Sequence, residues 1–159
     1  MPISESLNSL EALSDKILLA AKKAGAEAAD SLVAYGSSTN IDVRNDALEL
    51  AERSEASEIG LRVFIGQKQA MVSGSDISEI TIGEMAERAI AMAKEAPADE
   101  YAGLAAPDQY AVAWDTEALE LYDSSPEPSA KDLEEEARLI EAAALKNEGI
   151  EQVSTASAS

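Results

Sequence analysis

Residues 41–73 carry the pattern that most limits how this chain can fold. Ile41 and Val43 alternate with polar neighbours, and so do Leu48 and Leu50. Between the two runs lie Asn45 and Asp46, residue types that tolerate left-handed backbone angles and so favour a two-residue hairpin turn. That turn sets Val43 opposite Leu48 and Ile41 opposite Leu50. After a polar connection over 51–58, Ile59, Leu61, Val63 and Ile65 alternate with Gly60, Arg62, Phe64 and Gly66, the period of a half-buried strand. A turn around Gly66-Gln67 returns the chain and brings Ala70 and Val72 to the same apolar side. A slip of two residues leaves every side chain on its face, so this inward set is insensitive to loop length. Two hairpins with one apolar face require a covering layer.

The flanking segments supply it. Leu7, Leu10, Ile17 and Ala24 recur at helical spacing over 4–25, and Gly25 after Lys22 and Lys23 is a natural helix end. A strand over 31–35 precedes the hairpins. Gly74-Ser75-Asp76 reads as a turn and Thr81 to Glu84 as a capping box, opening a second helix over 78–96 that Pro97 terminates. The expected fold is α+β: an antiparallel β-meander of four or five strands with these helices packed on one face.

Beyond Pro97 the pattern weakens, and residues 101–128 read as a Pro-rich linker in which Trp114 pins a loop to the core. Ser129 to Asp132 caps a third helix carrying Leu133, Ala137, Ile140 and Ala144, closed by Asn147-Glu148-Gly149. A strand is expected from Ile150, and its open edge implies a longer protein and self-association as salt screens the charge. The segments in order are therefore an N-terminal domain over 1–100, the linker over 101–128, and the beginning of a further region over 129–159.

The net charge is −19, from 31 acidic and 12 basic side chains. Duplex DNA repels such a chain, since no counterions are released on contact, so direct nucleic-acid binding is not expected. Neither a membrane span nor a basic-then-apolar leader is visible, and the expected location is the cytoplasm. Histidine and cysteine are absent, which removes the familiar Ser-His-Asp and Cys-His nucleophile systems and the usual zinc-ligand sets. No phosphate-binding glycine loop and no calcium loop is present. The expectation is a segment with no catalytic, cofactor-binding or metal-binding residues of its own. Residues 115–151 hold 12 acidic and 3 basic side chains, clustered on the third helix and linker instead of spaced along one face like phosphates. Glu134-Glu135-Glu136 reads as the solvated side of an amphipathic helix.

Val43 to Glu49, Glu52 to Glu55, Ile59 to Gly66 and Ser73 to Ser78 occur here in one order. With Tyr101-Ala102-Gly103-Leu104-Ala105, Pro107-Asp108 and the run from Asp123 into Ser129 to Leu133, they resemble the start of the bacterial TldD/TldE family, closer to its TldE side, also called PmbA or "modulator of DNA gyrase". The resemblance implies the N-terminal region of a zinc metallopeptidase subunit acting on small or unfolded polypeptides and forming part of the subunit wall and substrate chamber. It implies a TldD-type partner subunit and a polypeptide substrate. Zinc in the complete complex sits on histidines and a cysteine of the C-terminal part of the TldD-type chain, so none is carried over to this one. The alternative is an acidic interaction module that modulates a DNA-handling enzyme such as gyrase.

Arg62 and Phe64 lie on the strand face opposite Leu61 and Val63. They are the candidate partner or peptide face. The competing assignment covers Phe64 within the domain and makes Arg62 a surface ion pair.

Overall fold

A computed structural model describes residues 3–113, 118–121, 123 and 125–159. Trp114 lies outside the described residues. Helix α1 (Ile3–Ala24) stops at Gly25, whose φ of 105° belongs to the left-handed region where a side chain is penalised. Strands β1 (Ala28–Arg44) and β2 (Ala47–Ile65) form the first hairpin. Asn45 and Asp46 sit at φ of 53° and 58°, the pair of left-handed angles that matches the twist of the flanking strands. β3 (Lys68–Gly74) returns from a turn at Gly66, also left-handed, and pairs Leu61 with Val72 and Val63 with Ala70. Helix α2 (Glu79–Glu95), a single 3-10 turn at Pro107–Gln109, helix α3 (Ala130–Leu145) and strand β4 (Ala156–Ala158) complete the chain. The four strands make one antiparallel sheet in the order β3-β2-β1-β4.

Three local expectations are corrected. The polar connection over 51–58 is itself strand, because β2 runs unbroken from Ala47 to Ile65. Residues 51–56 are exposed on both faces, so no apolar alternation marks them. The cap of α2 is Ser78, whose hydroxyl accepts from the Thr81 amide, while Asp76 accepts from the Thr81 hydroxyl and the Ser78 amide. The last strand forms at Ala156–Ala158, not from Ile150, and pairs with Ile41, Asp42 and Val43 of β1.

The chain divides into two compact units that interleave along the sequence: Met1–Gly36 with Ala56–Val112, and Ser37–Glu55 with Ala113–Ser159. In the first, Ile17 and Ala21 of α1 and Ile59, Leu61 and Val63 of β2 are buried with Ile82, Met85, Ala89, Ile90 and Ala93 of α2. Alanines at the helix contacts let α1 and α2 lie close, which suits a chain with only 4% aromatic residues. In the second unit, Ile41 and Val43 are buried with Leu133 and Ala137 of α3 and Ala158 of β4. The eight-residue inward set therefore does not form one core. Leu48 and Leu50, 49% and 43% exposed, join neither. Alternation fixes which side of a strand a residue faces but not which element covers it.

The second unit also buries a charge. Glu141, only 3% exposed, extends the stripe of Leu133 and Ala137 along α3. Its two carboxylate oxygens accept from the Asn45 amide at 2.7 Å and the Asp46 amide at 2.8 Å. Arg138, one turn back, donates to the Asp46 carbonyl and side chain and, at 2.7 Å, to Glu134. The tip of the first hairpin is thus held from α3 by an ordered set of charge-assisted bonds.

Helix α3 begins with a reciprocal cap. The Ser129 hydroxyl accepts from the Asp132 amide, and the Asp132 carboxylate accepts from the Ser129 amide at 2.8 Å. Hydrogen bonds from the Ser129 hydroxyl and backbone hold the Asp132 carboxyl below its usual pKa. A carboxyl depressed in the folded state adds stability that is complete above its unfolded pKa, near 4, and fades as pH falls through the folded value. Asp132→Asn is therefore expected to lower stability by a constant amount above about pH 5, with the gap to wild type closing on further acidification. Urea unfolding at stepped pH checks this, and a gap that persists undiminished at pH 2 contradicts it.

Candidate functional site

The face of the first unit's sheet that carries Arg62 and Phe64 is a surface where sequence and structure both place unusual groups. Strand alternation puts Glu58, Gly60, Arg62 and Phe64 on one side of β2, and Leu61 and Val63 on the other, in the core. Arg62 donates from Nε to Asp30 Oδ1 at 3.0 Å and from Nη2 to Asp30 Oδ2, a two-pronged pair with the neighbouring strand β1. These bonds, opposed by partial burial, raise the Arg62 pKa further, so it stays charged at any working pH. The guanidinium carbon also lies 5.1 Å from the centre of the Phe64 ring. Phe64 itself is 3% exposed.

Of the two residues singled out from the sequence, then, the structure brings both together but exposes only one. Phe64 forms a floor under the guanidinium, and Arg62 keeps about four-tenths of its side chain in solvent while engaged by Asp30. Asp30 went unrecognised in the sequence, since its partner lies 32 residues away and nothing local distinguishes it from thirty other acidic residues.

Beside this pair opens a cavity of about 720 Å³. Leu32 and Met71, 72% and 70% exposed, line it together with Gly60, Ala34, Glu58 and Ser73. A second hollow, about 410 Å³, lies among Lys16, Leu19 and Lys23 of α1 and Glu79, Gly83 and Glu87 of α2. It is lined by charges of both signs at a helix-helix seam and gathers no reactive constellation.

The chain has no histidine or cysteine, and among the described residues no three carboxylates converge on a metal-sized site. Among the same residues no helix is long and apolar enough to cross a membrane.

Residues 29–93, which contain nearly all of β1, the whole of β2 and β3 and most of α2, match the profile described as PmbA/TldA metallopeptidase domain 1. These residues are similar to the first domain of the TldD/TldE (PmbA) family. A relative from Haemophilus influenzae, named Metalloprotease PmbA homolog, is 36% identical over 102 residues, which is 64% of this chain and 22% of that protein. Among solved structures, one named a modulator of DNA gyrase from Bacteroides thetaiotaomicron superposes with a TM-score of 0.74 at 23% identity, over 87% of this chain and 31% of the neighbour. TldE from Thermococcus kodakarensis superposes with a TM-score of 0.64 at 17% identity, over 91% of this chain and 32% of its own. At those identities the two structures establish a shared TldE-like fold. The chain spans less than a third of the length of each of these relatives.

Proposed function

We propose that this chain is a non-catalytic N-terminal region of a TldD/TldE-type zinc metallopeptidase subunit that acts on small or unfolded polypeptides. Its contribution is to the subunit wall and the substrate chamber, beside a TldD-type partner. The observation that carries this reading is the match of residues 29–93 to a metallopeptidase family's first domain in a chain that has no histidine or cysteine. A domain without metal ligands serves such an enzyme by shape and contact, and the zinc belongs to other parts of the assembly. The Arg62 face of the sheet is the proposed contact surface, with Asp30 holding the guanidinium in place.

In a complete PmbA-type subunit carrying this sequence, deleting residues 29–93 is expected to abolish co-elution with the TldD-type subunit and cleavage of an unfolded polypeptide by the pair. Full cleavage without the region overturns the reading. The name of the Bacteroides neighbour favours a second reading, in which an acidic module acts on a DNA-handling enzyme. That reading requires the chain to change gyrase supercoiling in the absence of any peptidase partner.

A further inference from the structure

We infer that the groove on the Arg62 face docks an extended segment of a different polypeptide chain that presents an apolar residue and, two positions along, a lysine or arginine. The inference deepens the proposed role and rests on it only in expecting this region to meet other polypeptides.

The geometry of β2 sets the spacing. Glu58, Gly60 and Arg62 share one face at intervals of about 7 Å, the separation of alternate residues on a strand. At one end Arg62 is neutralised by Asp30, so that end offers no net charge to a visitor. At the centre Gly60 leaves the floor bare, and a Cβ built there sits 3.8 Å from the Leu32 Cβ, in ordinary contact. Leu32 touches this bare spot from β1, while on β3 Ser73 stands opposite Gly60 and Met71, the partner of Arg62, stands on the diagonal; Leu32 and Met71 are both about seven-tenths exposed. At the other end Glu58 is exposed and has no ion-pair partner among the described residues.

A neutral end, an apolar middle and a free carboxylate about 7 Å further on describe the complement directly. An apolar side chain enters over Gly60 against Leu32, with the exposed Met71 on the diagonal toward Arg62. A cation two residues along an extended chain then reaches Glu58. A second copy of this chain is disfavoured as the occupant, because each carries a net charge of −19 and the two repel. An acidic segment is disfavoured for the same reason.

The test uses the whole chain and three fluorescent ten-residue peptides built on Leu-x-Lys, Leu-x-Glu and Gly-x-Lys repeats. Only the Leu-x-Lys peptide is expected to bind, with amide shifts centred on Leu32, Gly60 and Met71. Met71→Glu and Leu32→Glu are expected to weaken binding at least tenfold, with melting curves confirming that these exposed positions leave the fold intact. Gly60→Ala, which fills the floor without a clash, is expected to weaken it several-fold. Glu58→Gln is expected to weaken it three- to tenfold, while Glu136→Gln on α3, the same charge change elsewhere, leaves it unaltered. Equal binding of Gly-x-Lys overturns the inference in favour of general charge attraction. Equal binding of Leu-x-Glu overturns the role of Glu58. A protein mass that doubles without peptide and returns to monomer in Met71→Glu assigns the groove to a second copy and likewise overturns it. None of these results alters the outcome of deleting residues 29–93, so the two proposals fail separately.

Discussion

Replacing Glu141 by alanine is expected to cost roughly 2–4 kcal/mol, among the largest effects of any single polar substitution in this chain. Both carboxylate oxygens are committed, one to each amide of the Asn45-Asp46 turn, and the group is almost fully buried. Bonds from backbone N–H to a charged acceptor contribute about 1.5–3 kcal/mol each before the entropy of the freed tip is counted. Removing the acceptor also leaves two turn amides that strand pairing does not satisfy, because they face out of the hairpin toward α3. Glutamine is a poor substitute, since its amide nitrogen is a donor and meets one of the two N–H groups head-on. Urea unfolding gives the magnitude. Hydrogen exchange at Asn45 and Asp46 gives the location, and both amides are expected to lose protection in Glu141→Ala. A cost below about 0.5 kcal/mol with unchanged exchange contradicts the anchoring role.

The second large effect separates two leucines of one strand. Leu61 is completely buried against α1 and α2, whereas Leu48 is half exposed. Leu61→Ala removes packed methyl groups and leaves a cavity lined by rigid neighbours, so a loss of roughly 2–5 kcal/mol is expected. Leu48→Ala removes surface that water already reaches, and the expected loss is below about 1 kcal/mol. The sequence pattern alone treats the two as equivalent. Comparable denaturation midpoints for the two variants contradict the division of β2 between a packed half and an exposed half.

That comparison shows where sequence patterning carries information and where it stops. Turn chemistry is local, so Asn45-Asp46, Gly25 and Gly66 announce themselves: each needs a backbone region that few residues enter easily. The cap at Ser129 is equally local, requiring only an oxygen and a carboxylate three residues apart. The face of each strand follows from period two, and Ala70 and Val72 lie on the expected side, opposite Val63 and Leu61. The unbroken course of β2 through residues 51–58 does not follow from it, because a ribbon exposed on both sides has no apolar period to display. Glu141 was hidden by the abundance of acidic residues. One signal pointed to it: Leu133, Ala137 and Glu141 recur at four-residue spacing, and a carboxylate on an apolar stripe needs a buried donor. Ile140, expected on that stripe, is 45% exposed instead. The Asp30–Arg62 pair escaped for a different reason, since it depends on the β1–β2 register well away from the turn.

The interleaving of the two units has a consequence for how the chain acquires its structure during synthesis. The hairpin tip at Asn45 waits for a helix whose anchoring carboxylate is 96 residues further on, and for a strand made only at residues 156–158. Ribosomes add about 5–20 residues per second, so Ile41 and Val43 spend roughly 5–20 s without the side chains that bury them. Over that interval the first unit, complete by residue 112, is free to form around α1 and α2. The second unit is a closure of high contact order, since α3 and β4 meet the hairpin across about a hundred residues of chain, and such long-range contacts slow folding. Charge bears on that delay: a nascent chain rich in carboxylates repels its neighbours while two branched apolar side chains stand exposed on an unfinished strand.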